Sequence, residues 1–370
     1  MKNPLREFAI QMNDVHYMHL VHILAIKAKG LVSPNPLVGA VLVKNEKVIS
    51  KGYHKKYGSN HAEVEAINKS KQDVSGSTLY CNLEPCCHTN KQTPPCVPLI
   101  IQKKIKRVVI SNFDPNNAVN GRGVKQLQEA GIEVTTGVLE NEGKELNKFY
   151  FKYVKEKLPY ITLKIAQSID GKISYSRKEQ TWLTGKESIK FVHKLRSKYD
   201  AVLVGAGTIK TDNPLLTVRE IRARNPFRII IDGKLNISSK SQILNLEDKE
   251  RSWIFTSTLA DLTKINKLRK KGVKIFEINS SQRKKLNLKN ILQVLAKNKI
   301  TSILVEGGAE IFNQFLELNL YDEVVVLQAP IVLGNGIANT NLKTTKQLKL
   351  LTYEKLGEDI KLVYGKNLSD

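Results

Sequence analysis

The chain has 370 residues, 41% of them hydrophobic, and a formal net charge of +24 at pH 7. This length favours two domains over one, and the apolar content excludes an intrinsically disordered chain. There is no run of about 18 apolar residues, which argues against a membrane span, and the polar N-terminus does not resemble a signal peptide. Four cysteines in such a chain indicate metal chemistry in a reducing cytoplasm, not a disulfide framework.

The positive charge has two interpretations. It could attract nucleic acid or phosphorylated small molecules, or it could reflect lysines spread over solvated faces. Lysines are interleaved along most of the chain, without an arginine-rich block or a base-stacking motif. We therefore favour the second interpretation and predict no nucleic-acid partner.

Taken in chain order, the first half alternates helices and strands. The patterns predict a helix at 15–30, a hairpin at 37–53 turning near Asn45–Glu46, a helix from His61, a strand at 77–83, a helix from Cys96 to about 104, a strand at 107–111, a helix at 124–131, a strand at 132–137 and a helical stretch at 138–158. This alternation indicates an α/β sheet.

A domain boundary is predicted at Pro159, followed by a second α/β series. Here the patterns predict a strand at 160–167, a helix at 188–199, strands at 200–208, 227–232, 252–257 and 273–278, a helix at 287–299, a strand at 302–308, a helix at 309–318, a strand at 323–330 and a closing hairpin at 348–365.

Three residues in the first half, His61, Cys86 and Cys96, can hold one zinc ion, which prefers nitrogen and sulfur ligands. Structural zinc usually takes four protein ligands, whereas catalytic zinc takes three and leaves a place for water. Glu63 lies two residues after His61, and a His, two Cys and a Glu that is not a ligand are typical of zinc nucleobase deaminases. The sequence thus predicts attack of water on an amino-bearing carbon, with Glu63 moving the protons.

Other interpretations of this cluster remain open. Cys87 and His88 are rival ligands beside Cys86, which we prefer because it directly follows Pro85. His61 is expected to open one helix and Pro85–Cys86 to lead into another, where the helix N-terminus lowers a thiol pKa. Alternatively, the zinc could only stabilise the loop without taking part in catalysis. Cys81 is expected to be a thiol in the hydrophobic core.

Two sets of motifs carry a resemblance to a known family. They are SPNPLVGAVLV (33–43) and TPPC (93–96) in the first half, and LKIAQSIDGKIS (163–174), TWLTG (181–185), VGAGTIKTDNPLLTVR (204–219) and VEGGAEIFNQFL (305–316) in the second. With these, the chain resembles the bifunctional riboflavin-biosynthesis deaminase–reductases over nearly its whole length.

The resemblance implies a cytidine-deaminase-like three-layer α/β/α domain at 1–157 and a dihydrofolate-reductase-like α/β domain at 158–370. It implies zinc-dependent removal of the 2-amino group of 2,5-diamino-6-(5-phosphoribosylamino)pyrimidin-4-one, a phosphorylated small molecule. NADPH then reduces the ribose of the product to ribityl. A cytoplasmic homo-oligomer is expected.

Site residues carry over by position. The zinc ligands fall on His61, Cys86 and Cys96, Glu63 is the proton carrier, and Asn35 is placed to bind the base, with a loop-capping role as its alternative. Lys164 would protonate or orient the ribose oxygen, or else is an exposed strand lysine. The nicotinamide-cofactor positions are Ala166, Trp182, Thr208, Asp212, Gly307 and Gly308, and the substrate positions are Arg196, Leu216, Arg219 and Glu306, with the arginine fork suited to phosphate.

The sequence departs from the family in two places. The loop between Cys87 and Cys96 is longer by one residue and lacks a glycine at 90–92, and Gln180 stands where a serine is common. Two rival functions are a tRNA or other nucleic-acid deaminase, and a zinc-stapled nucleotide-binding module without catalysis.

Overall fold

The chain folds as two compact units, Met1–Lys157 and Leu158–Asp370. The structure is a computed structural model that describes residues 4–89, 93–176, 181–280 and 286–366, with side chains from residue 12 onward. Both units are α/β, which confirms the predicted fold class.

The first unit is built on a five-stranded mixed sheet. Its elements are α1 (Pro4–Ile26), β1 (Gly39–Lys44), β2 (Lys47–Tyr53), α2 (Ala62–Lys69), β3 (Thr78–Leu83), α3 (Cys96–Gln102), β4 (Arg107–Asn112), α4 (Arg122–Glu129), β5 (Glu133–Thr135), α5 (Glu140–Leu146) and α6 (Lys148–Glu156). The strand order is β2-β1-β3-β4-β5. β1 runs antiparallel to β2 and β3, whereas β3, β4 and β5 are parallel.

Helices cover both faces of this sheet because the side chains of β1 alternate between two cores. Val41 packs with Met18 of α1 on one face, and Leu42 packs with Ala62 and Ala66 of α2 on the other. Both β1 side chains are fully buried, so each contributes about 1.5–3 kcal/mol of hydrophobic free energy to folding. The result is the three-layer arrangement that the family resemblance implies.

Two local features set the position of α2. The β1–β2 hairpin turns at Asn45 and Glu46, whose φ angles of 50° and 60° are those of a two-residue turn that matches the strand twist, as predicted. On β2, a Cβ at Gly52 would lie 2.3 Å from the carbonyl oxygen of Ala62. Only glycine permits that approach, which brings the start of α2 against the sheet.

The second unit is built on a nine-stranded, mainly parallel sheet. Its elements are β6 (Tyr160–Gln167), β7 (Lys172–Ser174), α7 (Lys186–Arg196), β8 (Ala201–Gly205), α8 (Ala206–Asp212), β9 (Phe227–Ile231), β10 (Ser252–Ser257), α9 (Leu262–Lys270), β11 (Lys274–Ile278), α10 (Leu288–Lys297), β12 (Ser302–Val305), α11 (Ala309–Glu317), β13 (Glu323–Gln328), β14 (Ile337–Ala338), β15 (Leu348–Leu356) and β16 (Asp359–Lys366).

In this sheet the order is β11-β10-β9-β8-β12-β6-β13-β16-β15, with β7 and β14 paired separately. The seven strands from β11 to β13 are parallel, and β16 and β15 add an antiparallel edge. The carboxyl ends of β8, β12 and β6 therefore meet at one edge of the sheet, where open α/β sheets bind their ligands.

Two helices of this unit differ from the sequence prediction. The strand predicted at 200–208 ends at Gly205, and residues 206–212 form α8, because Gly205 is still extended and at the same time serves as the N-cap of that helix. Helix α9 was not predicted, since only Ile265 and Leu268 of its basic sequence are buried. Its start is stabilised instead by the Asp261 carboxylate, which accepts the amide N–H of Thr263 at 2.8 Å.

Candidate active sites

A cluster suited to a metal ion forms where α2 and α3 begin. His61 immediately precedes α2, Cys96 is the first residue of α3, and Cys86 follows β3. The Nδ1 atom of His61 lies 3.4 Å from the Sγ atoms of both cysteines, and all three ligand atoms lie within 4.8 Å of one another. A tetrahedral zinc centre holds nitrogen and sulfur ligands about 3.5 Å apart, so this set fits a three-ligand zinc site with one open position.

The backbone amides at the start of α3 contact the sulfur and the carbonyl oxygen of Cys86. The amide of Cys96 lies 3.3 Å from the Sγ of Cys86, and the amides of Cys96 and Val97 donate to the Cys86 carbonyl oxygen at 3.0 and 3.2 Å. Pro85–Cys86 was predicted to lead into a helix, but residues 84–89 are not helical; the helix starts at Cys96, as also predicted, and the Cys86 carbonyl caps it. The N–H groups of that helix still favour a thiolate at Cys86.

The rival ligands are arranged differently. The Sγ of Cys87 lies 3.8 Å from the carbonyl oxygen of Ala118, and His88 lines the nearby cavity. Cys81 is fully buried in β3, and that burial raises the pKa of its thiol well above the usual value, as expected of an inert core cysteine. In the described part of the chain, the one His/Cys/Asp/Glu group that could hold a metal is His61, Cys86 and Cys96.

A cavity of about 360 Å³ opens beside this cluster. It brings together five residues singled out by sequence, Asn35, His61, Glu63, Cys86 and the rival ligand His88. Glu63 lies in the first turn of α2 and is 3% exposed, so its carboxyl group is shielded from bulk water. The lining also includes residues that sequence reasoning missed: His54, Asp114, Asn116 and Tyr150.

His54 determines how Asn35 presents its amide. The Nδ1 of His54 lies 3.0 Å from the Asn60 carbonyl oxygen, so Nδ1 carries the proton and Nε2 can only accept. Burial lowers the pKa of His54, which favours this neutral form. The Asn35 Nδ2 group, 3.1 Å from Nε2, must therefore donate, and the Asn35 oxygen is left to accept a hydrogen bond from a bound base.

Asp114 adds a titratable carboxyl to the cavity wall. Burial raises the pKa of this carboxyl to about 6, although hydrogen bonds from the Asn116 amide and the Tyr150 hydroxyl oppose the effect. Both donors lie 2.9 Å from Oδ1. Asp114 follows the carboxyl end of β4, and its position after a buried strand is the signal by which the sequence could have identified it.

In the second unit, three predicted residues form one ionic network. Arg196 binds Glu306 through Nε and Nη2 at 2.7 and 2.9 Å, and the Nζ of Lys164 lies 3.6 Å from the same carboxylate. The side chains of Lys164, Arg196 and Glu306 are 14, 12 and 6% exposed. The alternative that Lys164 is an exposed strand lysine is therefore wrong.

Burial and charge shift the pKa values of this network in opposite directions. Burial lowers the pKa of Lys164, with Arg196 adding to the effect and Glu306 opposing it. Burial alone would raise the pKa of Glu306, but Arg196 and Lys164 override it and hold the value well below the usual range. Glu306 is thus ionised at neutral pH, and Lys164 releases its proton more readily than a free lysine.

Beside this network, the turns after β8 and β12 lie against each other. A Cβ at Gly307 would be 3.4 Å from the Gly205 amide nitrogen and 3.1 Å from Ile311, and a Cβ at Gly205 would be 2.8 Å from Ile311, so a side chain at either of these two glycines would crowd α11. The Gly308 amide donates to the Thr208 hydroxyl at 3.1 Å. Two helices, α8 and α11, begin here with their N-termini at the same sheet edge, which suits the phosphates of a dinucleotide.

The remaining predicted positions are less tightly connected. Ala166 lies on β6 two residues beyond Lys164, on the same face. Leu216 is buried with a left-handed φ of 54°. Exposed Arg219 donates to the Thr217 hydroxyl at 3.2 Å. The carbonyl oxygen of the same threonine accepts a hydrogen bond from Arg196. In the described residues, no hydrogen bond or ion pair joins Trp182, 69% exposed, or Asp212, whose pKa burial raises, to this network. Residues 90–92 and Gln180 lie outside the described residues.

Comparison with known proteins assigns the two halves separately. The cytidine and deoxycytidylate deaminase zinc-binding region matches residues 11–112, which include the whole His–Cys–Cys cluster. The RibD C-terminal domain matches residues 159–362, which include the ionic network and both glycine turns.

Relatives cover nearly the full length. The riboflavin biosynthesis protein RibD of Aquifex aeolicus is 41% identical over 95% of this chain and 98% of that protein. The chain belongs to the RibD family. RibD of Bacillus amyloliquefaciens is 38% identical over 94% of this chain and 95% of that protein.

Solved structures agree with this assignment. Acinetobacter baumannii RibD superposes with a TM-score of 0.89 at 32% identity, covering 96% of this chain and 99% of that one. A diaminohydroxyphosphoribosylaminopyrimidine deaminase/5-amino-6-(5-phosphoribosylamino)uracil reductase from Thermotoga maritima gives 0.86 at 36% identity, covering 96% and 99%.

As a RibD, the chain is a bifunctional deaminase and reductase of riboflavin biosynthesis, with zinc and NADPH as its cofactors. The predicted family is confirmed. A nucleic-acid deaminase or a non-catalytic zinc module is not favoured, because both enzyme domains match in one chain. Across the described ranges, no helix is both long and apolar enough to cross a membrane.

Proposed function

We propose that residues 1–157 deaminate 2,5-diamino-6-(5-phosphoribosylamino)pyrimidin-4-one and that residues 158–370 reduce the ribose of the product to ribityl. The observation that carries the first step is the His61–Cys86–Cys96 cluster, whose His61 and Cys86 line a cavity together with Glu63. The Lys164–Glu306–Arg196 network beside two glycine turns supports the second.

In the first step, His61, Cys86 and Cys96 would hold zinc. When bound, zinc supplies a nucleophile at neutral pH, because it lowers the pKa of a water molecule to about 7. Glu63 would take a proton from the attacking water and give it to the pyrimidine ring nitrogen. It would then take the second proton from the hydroxyl that has added to the ring carbon and give it to the amino group that leaves as ammonia. Its buried position keeps these transfers away from bulk solvent.

Asn35 would orient the base for this attack. Since His54 accepts from the Asn35 Nδ2 group, the Asn35 oxygen faces a ligand as an acceptor and pairs with a ring N–H or an amino group. A pyrimidine edge that offers only acceptors at this point would be rejected.

In the second step, Lys164 would donate a proton to the ribose ring oxygen, or orient that oxygen, as the anomeric carbon is reduced. NADPH supplies the hydride, and Ala166, Trp182, Thr208, Asp212, Gly307 and Gly308 would contact it. Glu306 keeps Lys164 at this edge of the sheet through their ion pair. The lowered pKa of Lys164 makes it a stronger acid than a free lysine, as proton donation requires.

Arg196 and Arg219 would have different roles toward the substrate. The Arg196 guanidinium binds Glu306 through Nε and Nη2 and the Thr217 carbonyl oxygen through Nη1. Arg196 therefore chiefly holds that carboxylate and would contact substrate only through its remaining N–H groups, with Leu216 as a further substrate position. Arg219 is exposed and free to turn its fork toward the phosphate of the ribotide.

A split assay on the full-length, zinc-loaded protein tests both steps. Ammonia release is followed first without NADPH, and NADPH oxidation is followed after its addition. We expect ammonia first and NADPH consumption second. Removing zinc with a chelator should abolish ammonia release and leave reduction of pre-deaminated substrate unchanged, because the cluster and the ionic network lie in different units.

Each failure of this assay points to a different residue set. Ammonia without NADPH oxidation would contradict the role of the second unit. Oxidation of NADPH with pre-deaminated substrate, but no ammonia from the first substrate, would locate the fault in the lengthened loop at 90–92.

We also propose a cytoplasmic homo-oligomer. Strand β15 is a free sheet edge whose residues Leu350, Leu351 and Tyr353 are 48, 47 and 75% exposed, and such edges are usually covered. Light scattering should give a multiple of the 41.7 kDa chain mass, and Tyr353→Lys should lower it. A monomeric wild-type protein would contradict this.

A further inference from the structure

Thr93 contacts the ring nitrogen of His61 that does not face the cysteine sulfurs. Its Oγ1 lies 3.2 Å from the Nε2 of His61, while the Nδ1 of the same ring faces both cysteine sulfurs at 3.4 Å. A neutral imidazole that gives Nδ1 to a metal carries its proton on Nε2. The Thr93 oxygen is therefore the acceptor of this hydrogen bond.

The local sequence restricts both the backbone conformation and the rotamers of Thr93. This residue is followed by Pro94, Pro95 and Cys96, and a residue before proline is restricted to extended conformations. Its β-branched side chain has few rotamers. Cys96 is in turn held by the Cys86 carbonyl, so the backbone that carries Thr93 is tied to the cluster three residues further on.

We propose that Thr93 is a positioning residue that orients His61 and slows zinc release. The inference rests on the proposed zinc site at His61, Cys86 and Cys96. Accepting the Nε2 proton fixes both the tautomer and the rotation of the ring. Carboxylates and backbone carbonyls usually perform this task at zinc sites, and losing such a partner weakens metal binding about 10- to 100-fold.

The test compares Thr93→Val, Thr93→Ser and the control Thr78→Val in the full-length holoenzyme. Thr78 is a half-buried threonine at the start of β3, away from the cluster ligands. Zinc release to a chromogenic chelator is followed with time. We expect release from Thr93→Val to be about 10- to 100-fold faster, and release from Thr93→Ser and Thr78→Val to be close to wild type.

Equal zinc release from wild type and Thr93→Val would overturn the proposal, as would a Thr93→Ser protein that behaves like the valine variant. An unchanged release rate with a raised KM for the pyrimidine would make Thr93 a substrate contact instead. A lower thermal midpoint of zinc-free Thr93→Val than of zinc-free wild type would make the role merely structural. Wild-type protein that binds no zinc would remove the proposed metal site itself.

Discussion

Replacing Glu63 with glutamine should lower deamination by about 10²- to 10⁴-fold, the usual contribution of general acid–base catalysis. Glutamine has nearly the same shape, so the 3% exposed site should stay packed, but its amide cannot carry a proton. Because Glu63 is not part of the His61–Cys86–Cys96 set, the variant should still bind one zinc ion per chain. The checks are ammonia release and metal content of the same sample.

Glu65→Gln is the matched control for this variant. Glu65 lies on the same helix, but its carboxylate forms ion pairs with Lys55 and Lys69 at 3.0 and 2.9 Å. Glu65 belongs neither to the metal set nor to the residues that line the cavity, so its loss should leave deamination unchanged. Retained deamination in Glu63→Gln would remove Glu63 from the mechanism. Loss of zinc in that variant would instead mean that the carboxylate supports the metal.

Sequence patterns predicted most of the fold because its buried strands are strongly apolar. Apolar runs in the sequence predicted the strands β1, β3, β4 and β8, and the Asn45–Glu46 turn was predicted from its spacing. Elements with a weak apolar pattern were not predicted. Helix α9 buries only two side chains and depends on the Asp261 cap, whereas α8 follows its strand without any loop.

The site residues likewise divide into those that a local sequence pattern predicts and those that it does not. His61, Glu63, Cys86 and Cys96 were predictable because zinc chemistry restricts residue type and spacing within a short stretch. His54 was not, since its role depends on a neighbour that only folding provides, the Asn60 carbonyl. Asp114 has a sequence signal in its position after β4, but its hydrogen bond from the Tyr150 hydroxyl has none. Likewise, Arg196 was predicted to suit a phosphate, but one edge of its fork holds Glu306, a contact across 110 residues that no local pattern encodes.

Replacing Lys164 with alanine should lower NADPH-dependent reduction by about 10²- to 10⁴-fold, if Lys164 supplies the proton to the ribose oxygen. Deamination should be nearly unchanged, because its residues lie in the other unit. Kinetics on pre-deaminated substrate, with kcat and KM for NADPH measured separately, check this. A loss confined to kcat would fit a proton-transfer role, whereas a raised KM for NADPH would fit a binding role.

The variant should also fold. Removing Lys164 leaves Glu306 bound to Arg196 through two short hydrogen bonds, so no buried charge loses its last partner. Burial already lowers the pKa of Lys164, which means that its charged form is disfavoured in the folded protein. Loss of the ammonium group should therefore cost little stability, and the thermal midpoint should fall by no more than the lost packing of the buried lysine stem explains. Lys190→Ala, an exposed change on α7, controls for the lost charge. An equal fall of both activities in Lys164→Ala would indicate misfolding, and full reductase activity would exclude Lys164 from the reaction.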